Sequence, residues 1–192
     1  MKNESGFPNW FHLKCQECFE CPARSGRHSV IVGRGDVPAD ILIVGDAPGT
    51  SDDLVGIPFV GSAGHLLDSM IKAIPDFPSV YLTTGILCHP RDERGEAREP
   101  EKLEFERCAR WVQRIFRGVN PCAVVFLGKL SAKHCRTFLP VNVKIFSMMH
   151  PAYVVRNGGM SSPLFQHNVR VLEDVVSYVQ QTKNTRSESD AS

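Results

Sequence analysis

Apolar runs of strand length recur along this chain, and segments with helical periodicity separate them. The runs are 41–45 (ILIVG), 80–87 (VYLTTGIL), 123–128 (AVVFLG) and 144–149 (KIFSMM). Between them, 64–74 reads as an amphipathic helix and 99–117 as a long one with Leu103, Val112, Ile115 and Phe116 inward. A short helix starts near Ser131, and a closing helix is expected over 166–181. Strands separated by helices join through crossovers. The pattern therefore predicts an α/β fold: a single domain with a mostly parallel central sheet and helices on both faces. The 192 residues suffice for one such core. The domain is expected over 1–182, with the polar segment 183–192 as a disordered tail.

In sheets of this kind, ligands gather beyond the carboxyl ends of the strands. Three irregular segments fall there: GDAPGTSDD after the first strand, CHPRDERGE after the second and HPAYVVRN after the fourth. The first, followed on to residue 61 (GDAPGTSDDLVGIPFVG), spends two prolines, four glycines and three acids directly after a buried strand. Three such loops at one sheet edge point to a site.

Net charge is +1 and excludes nothing about nucleic acid. The basic residues between Arg91 and Arg117 are interleaved with acids, and Arg107, Arg110, Arg114 and Arg117 read as a solvated helix face. No run of about 18 apolar residues is present, so no membrane span is expected. The N-terminus lacks the apolar core of a signal peptide, which makes a cytoplasmic location the expectation. Nothing signals an oligomer, so a monomer is expected. Seven cysteines are many for such a location and suggest a metal or cluster before disulfides. Cys15, Cys18 and Cys21 form C-x2-C-x2-C. Cys88 ends the second strand, Cys108 lies in the long helix, and Cys122 and Cys135 flank the third strand as packing groups. On spacing alone, four thiolates from these elements suit an iron–sulfur cluster or zinc, and free thiols are the bland reading.

Taken in order, these segments resemble the uracil-DNA glycosylases of the iron–sulfur branch called family 4. CFECPARSGR is similar to that family's cysteine pair followed by Gly-Arg. ILIVGDAPGTSDDLVGIPFVGSAGHLLD resembles its first motif, VYLTTGILCHP a shared strand, and FERCARW the segment carrying a further cysteine. VVFLGKLSA resembles another strand and turn, and MMHPAYVVRN the second motif. The resemblance implies a [4Fe-4S] cluster on Cys18, Cys21, Cys88 and Cys108. Cys15 competes with Cys21 for a place, and Arg27 at the Gly-Arg position favours Cys21.

It also implies a DNA partner and base excision, in which a pyrimidine is turned out of the stack and its glycosidic bond is hydrolysed, leaving an abasic site. The sugar becomes cation-like and the base anion-like in that reaction. Asp46, with Asp52 or Asp53, is expected to stabilise the sugar or orient water. Ala47 and Gly49 are expected to present the turn to the base, Thr84 to contact it from the end of the second strand, Phe59 to stack on it, and His150 to donate to its oxygen. Ser62, Arg91 and Arg156 are expected to meet the DNA backbone.

The sequence departs from the family pattern in places. Asp46 and Asp52 stand where glutamates are usual. Thr84 stands where an asparagine reads the base edge, and threonine cannot make that paired contact. The stretch between Ala132 and His150 is shorter than usual. Thr84 with Gly85 predicts a roomier pocket, so the expected substrate is uracil or a bulky modified cytosine of the hydroxymethylated or glucosylated kind. Two other classes fit the same residues. One is a catalytically inactive DNA-binding module of the same fold, and the other a zinc-ribbon α/β nucleotide-binding protein.

Overall fold

A computed structural model describes residues 5–140 and 143–190, the side chains of 186–190 excepted. Five strands form one sheet: β1 (Arg34–Gly35), β2 (Ile41–Gly45), β3 (Val80–Thr84), β4 (Ala123–Leu127) and β5 (Lys144–Met148), in the order β1-β3-β2-β4-β5. The last four are parallel, and the two-residue β1 adds antiparallel to β3 at the edge. This is the expected α/β architecture, with β1 as an addition.

Every residue of β2 and β4 is buried, as a strand covered on both faces requires. Alternate side chains enter two cores. Leu42, Val44, Tyr81, Val124 and Phe126 pack under α1 (Asn9–Gln16) and α4 (Lys102–Val119). Ile41, Ile43, Leu82, Val125 and Leu127 pack under α3 (Ser62–Lys72) and α7 (Pro163–Asp190). Three shorter helices, α2 (Thr50–Val55), α5 (Lys129–Cys135) and α6 (Pro151–Arg156), follow β2, β4 and β5 directly.

Three expectations need correction. Leu103 is 43% exposed, and the inward face of α4 is carried by Phe105, Cys108, Trp111, Val112, Ile115, Phe116 and Val119. Its first turn is instead organised by Glu104, which accepts the Glu101 N–H at 2.8 Å and two bonds from the Arg98 guanidinium. The second strand stops at Thr84, where the chain turns and the Thr84 hydroxyl donates to the Ile86 carbonyl at 2.8 Å. Residues 183–190 continue α7 rather than forming a disordered tail, since no proline or glycine follows Pro163 to stop it. Residues 191–192 lie outside the described residues.

The chain leaves β2 for β3 on one side, then returns to β4 on the other. The carboxyl end of β2 is therefore the switch point of the sheet, the place where such folds open a crevice. Asp46 is the first residue beyond it.

Candidate active site

Asp46 and His150 meet over Gly128. A methyl built on Gly128 would lie 3.2 Å from Asp46 Oδ2 and 3.5 Å from His150 Cβ. Asp46 Oδ1 accepts the Ser131 N–H at the start of α5 at 2.6 Å, which fixes the carboxylate at the switch point. His150 caps α6, and its Nδ1 accepts the Ala152 N–H at 3.2 Å. The ring proton of the neutral form therefore sits on Nε2. Burial, the largest influence, holds His150 below the usual imidazole value. Asp46 opposes that shift, and Arg156 reinforces it. Buried Asn168, a residue that sequence reasoning missed, brackets Met149 with bonds of 3.1 and 2.9 Å and so sets the backbone just before His150.

His150 also lines a cavity of about 260 Å³ together with Ala47, Gly49, Asp52, Phe59 and Ser62. Phe59 is 6% exposed and adopts φ 60°, a left-handed conformation that costs a bulky residue energy. Its neighbours hold it there. The Arg34 guanidinium donates to the Pro58 carbonyl at 3.0 Å and to Asp68 at 2.6 Å. Gly64 lets α3 approach so closely that a methyl there would fall 1.9 Å from the Phe59 carbonyl oxygen. Because the obstructing atom is backbone, Gly64→Ala should cost about 3 kcal/mol or more, the upper range for overpacking, which is roughly 6–12 °C in melting temperature for a chain of this size. A thermal melt of the variant checks this.

The remaining predicted residues divide. Ser62 is exposed at the start of α3 on the cavity rim, and Arg156 is exposed at the end of α6. Asp52 reaches the cavity, but both its oxygens are engaged, by the N–H of Gly49 and of Val60, each at 2.9 Å. It clamps the wall, and the Gly49 N–H is not free for a base. Three expectations are overturned by hydrogen bonds or packing. Thr84 is 1% exposed with its hydroxyl turned to Ile86, so it backs the cavity instead of reading a base. A methyl on Gly85 would strike Phe105 Cε1 at 2.6 Å and Cys135 Sγ at 2.8 Å, so no room opens there. Arg91 folds inward, donating to Gly95 O at 2.9 Å and to Asp53 at 3.4 Å, and is not presented to DNA.

Asp53 ties the first cysteine loop to α2. Its fully buried carboxylate accepts the N–H groups of His28 and Ser29 at 3.0 and 3.2 Å and pairs with His28 Nδ1 and Arg91. Burial pushes its pKa up, but the bonds from His28, Ser29 and Arg91 outweigh burial and hold it below the usual carboxylate value. A depressed folded pKa means stability that is present above the unfolded value of about 4 and lost as pH falls through the folded one. Asp53→Asn should therefore cost about 1–3 kcal/mol at neutral pH, and the gap between the two proteins should shrink below about pH 4. Chemical denaturation at pH 7 and pH 3 measures it.

Cys18, Cys21, Cys88 and Cys108 line one small internal cavity with Arg27, Arg107 and Trp111. Cys15 is fully buried in the core and does not line it. Two N–H···S contacts reach the site, from Arg27 to Cys88 at 3.3 Å and from the Leu87 backbone to Cys108 at 3.4 Å. Burial raises the thiol pKa of Cys21, Cys88 and Cys108, Cys88 to about 11. Among the described residues, no three His, Cys, Asp or Glu side chains converge as the ligands of a single metal ion would.

Among the described residues no helix is long and apolar enough to cross a membrane. Residues 32–175 match the model of the uracil DNA glycosylase superfamily. The chain is 34% identical over 117 residues to the type-4 uracil-DNA glycosylase of Archaeoglobus fulgidus, covering 60% of this chain and 57% of that protein. It is 30% identical over 135 residues to that of Saccharolobus solfataricus, covering 69% and 60%. The type-4 enzyme of Thermotoga maritima is 27% identical over 159 residues, 75% of this chain and 81% of that protein. The chain thus spans about three-fifths of the length of the first two relatives. With the switch-point crevice and the family match covering the same stretch of chain, this protein belongs to the uracil DNA glycosylase superfamily.

Proposed function

We propose that the chain is a DNA glycosylase that draws an everted pyrimidine, uracil first, into the cavity beside His150 and hydrolyses its bond to deoxyribose. The observation that carries this is one cavity shared by Phe59 and His150, with Asp46 fixed against His150 at the switch point. Phe59 supplies an aromatic face. The Nε2–H of His150 donates to a base oxygen as the C1′–N bond breaks and its electrons pass to the base. Asp46 stabilises the cation-like sugar and directs the water that adds to C1′. Ser62 and Arg156 on the rim hold the strand through its phosphates.

The cysteine site fits a [4Fe-4S] group in its donor set: four thiols around one cavity and two N–H donors to sulfur. Cys18 and Cys21 are half-buried, whereas Cys88 and Cys108 are buried. When bound, the group supplies a cross-link between the 18–21 segment, the end of β3 and α4.

The test offers the purified protein oligonucleotides with uracil, and phage-type DNA with hydroxymethylated or glucosylated cytosine, and identifies the released base by mass spectrometry. Release of uracil with an abasic site supports the reading. Release of modified cytosine alone moves the substrate to the bulky class, against the filled space at Gly85. Tight DNA binding with no base released favours the inactive module.

A further inference from the structure

The cysteine site and the base cavity are joined by a buried side chain that the proposed chemistry does not use. His89 directly follows Cys88 and is 2% exposed. Its Nδ1–H donates to the Pro48 carbonyl at 2.8 Å; a carbonyl only accepts, so the tautomer is set. Nε2 is then the acceptor and takes the Thr50 hydroxyl at 3.3 Å. Pro48 leads into α2, and Thr50 lines the cavity. A six-residue helix cannot hold its own shape, so α2 depends on outside contacts for its place. Its other tether is Asp53, which reaches His28, Ser29 and Arg91. Both tethers end beside cysteines: Arg27 bonds Cys88 Sγ and the Cys18 carbonyl, and Arg91 lies three residues beyond Cys88. From α2, Asp52 passes the constraint to the Val60 N–H, next to Phe59.

We infer that His89 is a positioning residue: it fixes the 48–60 wall of the base cavity to the cysteine site, so that closure of the four thiols around a cluster sets the shape of the cavity. The inference rests on the glycosylase reading only for its activity readout. His89→Phe keeps bulk and removes both bonds, while His89→Asn restores a donor near the Nδ1 position. Iron per chain and visible absorption are measured first, then hydrogen exchange of a peptide covering 46–60, then kcat and KM on a uracil-containing oligonucleotide.

His89→Phe should keep its iron, exchange the 46–60 amides about tenfold faster, and lose kcat about tenfold with KM moving less. His89→Asn should recover most of both effects. Should His89→Phe fail to fold, Thr50→Val removes one of the two bonds from the exposed side and should speed exchange about threefold. Unchanged exchange in the variant that folds overturns the inference. So does loss of iron in step with activity, which would make His89 a support of the cysteine site alone. If even the unmodified protein releases no base, the exchange result still decides the positioning role, and the glycosylase reading fails separately.

Discussion

Replacing His150 with alanine should lower base release by about 10²–10⁴-fold, the range for a positioned proton-transfer or oxyanion-stabilising group. The ring is fixed by geometry, not by contact with substrate. Its Nδ1 is committed to the Ala152 N–H, Asn168 holds the preceding residue, and Asp46 lies across Gly128. Because burial lowers the His150 pKa, the neutral ring with its proton on Nε2 is the form present at neutral and alkaline pH. On the proposed reading, release should stay flat above pH 7 and fall only in the acid range as the ring takes up a second proton. His150→Gln, which keeps a donor on a shorter lever, should recover part of the loss. Asp46→Asn should show a loss of similar size with DNA affinity nearly unchanged, since the sugar charge develops only in the transition state. Single-turnover release from a uracil-containing strand, with binding measured by anisotropy, separates the two effects. Loss of affinity in step with rate would show that these groups hold the strand and take no part in the bond cleavage.

On the proposed cluster reading, replacing Cys108 with serine should remove bound iron and cost about 4–5 kcal/mol of stability, or roughly 8–20 °C in melting temperature. The estimate treats the cluster as a cross-link closing a loop of about 90 residues between the first turn and α4. Cys108 sits on the buried face of α4 with the Leu87 N–H aimed at its sulfur, so a hydroxyl there leaves the site one ligand short. Cys122→Ser provides the control, since Cys122 lies outside the thiol-lined cavity and should change neither iron content nor visible absorption. Cys15→Ser separates the two candidate ligand sets: it should loosen the core yet keep the iron. A colourless Cys15→Ser protein would move the cluster onto Cys15.

The sheet is legible in the sequence because β2 and β4 are buried on both faces and so read as unbroken apolar runs. The long α4 is legible from its period, although Leu103 falls on the wrong side. Helices α2 and α6 are six residues each, too short for a 3.6-residue repeat to register, and prolines and glycines beside them read as turns. The direction of a side chain at a strand end is harder still. Thr84 continues the alternation of β3 but turns its hydroxyl to a carbonyl two residues on, a choice made by the turn rather than by Thr84. Arg91 looks like a surface cation, and Asp53, its partner 38 residues away, looks like a helix cap; nothing local announces that they meet. His89, Asn168 and Arg34 escaped for the same reason, since each acts through a distant backbone group. That Phe59 and His150 serve one base is an expectation drawn from resemblance; the folded chain brings both to the lining of one cavity.

The two borders of the sheet carry a consequence for how the protein behaves in concentrated solution. Among the described residues, β1 offers a neighbour only two residues, one of them glycine, and β5 opens on the exposed cation Lys144. A foreign strand would find too short a ladder on one border and a cation on the other, so stacking of molecules border to border into fibrils is opposed from both directions.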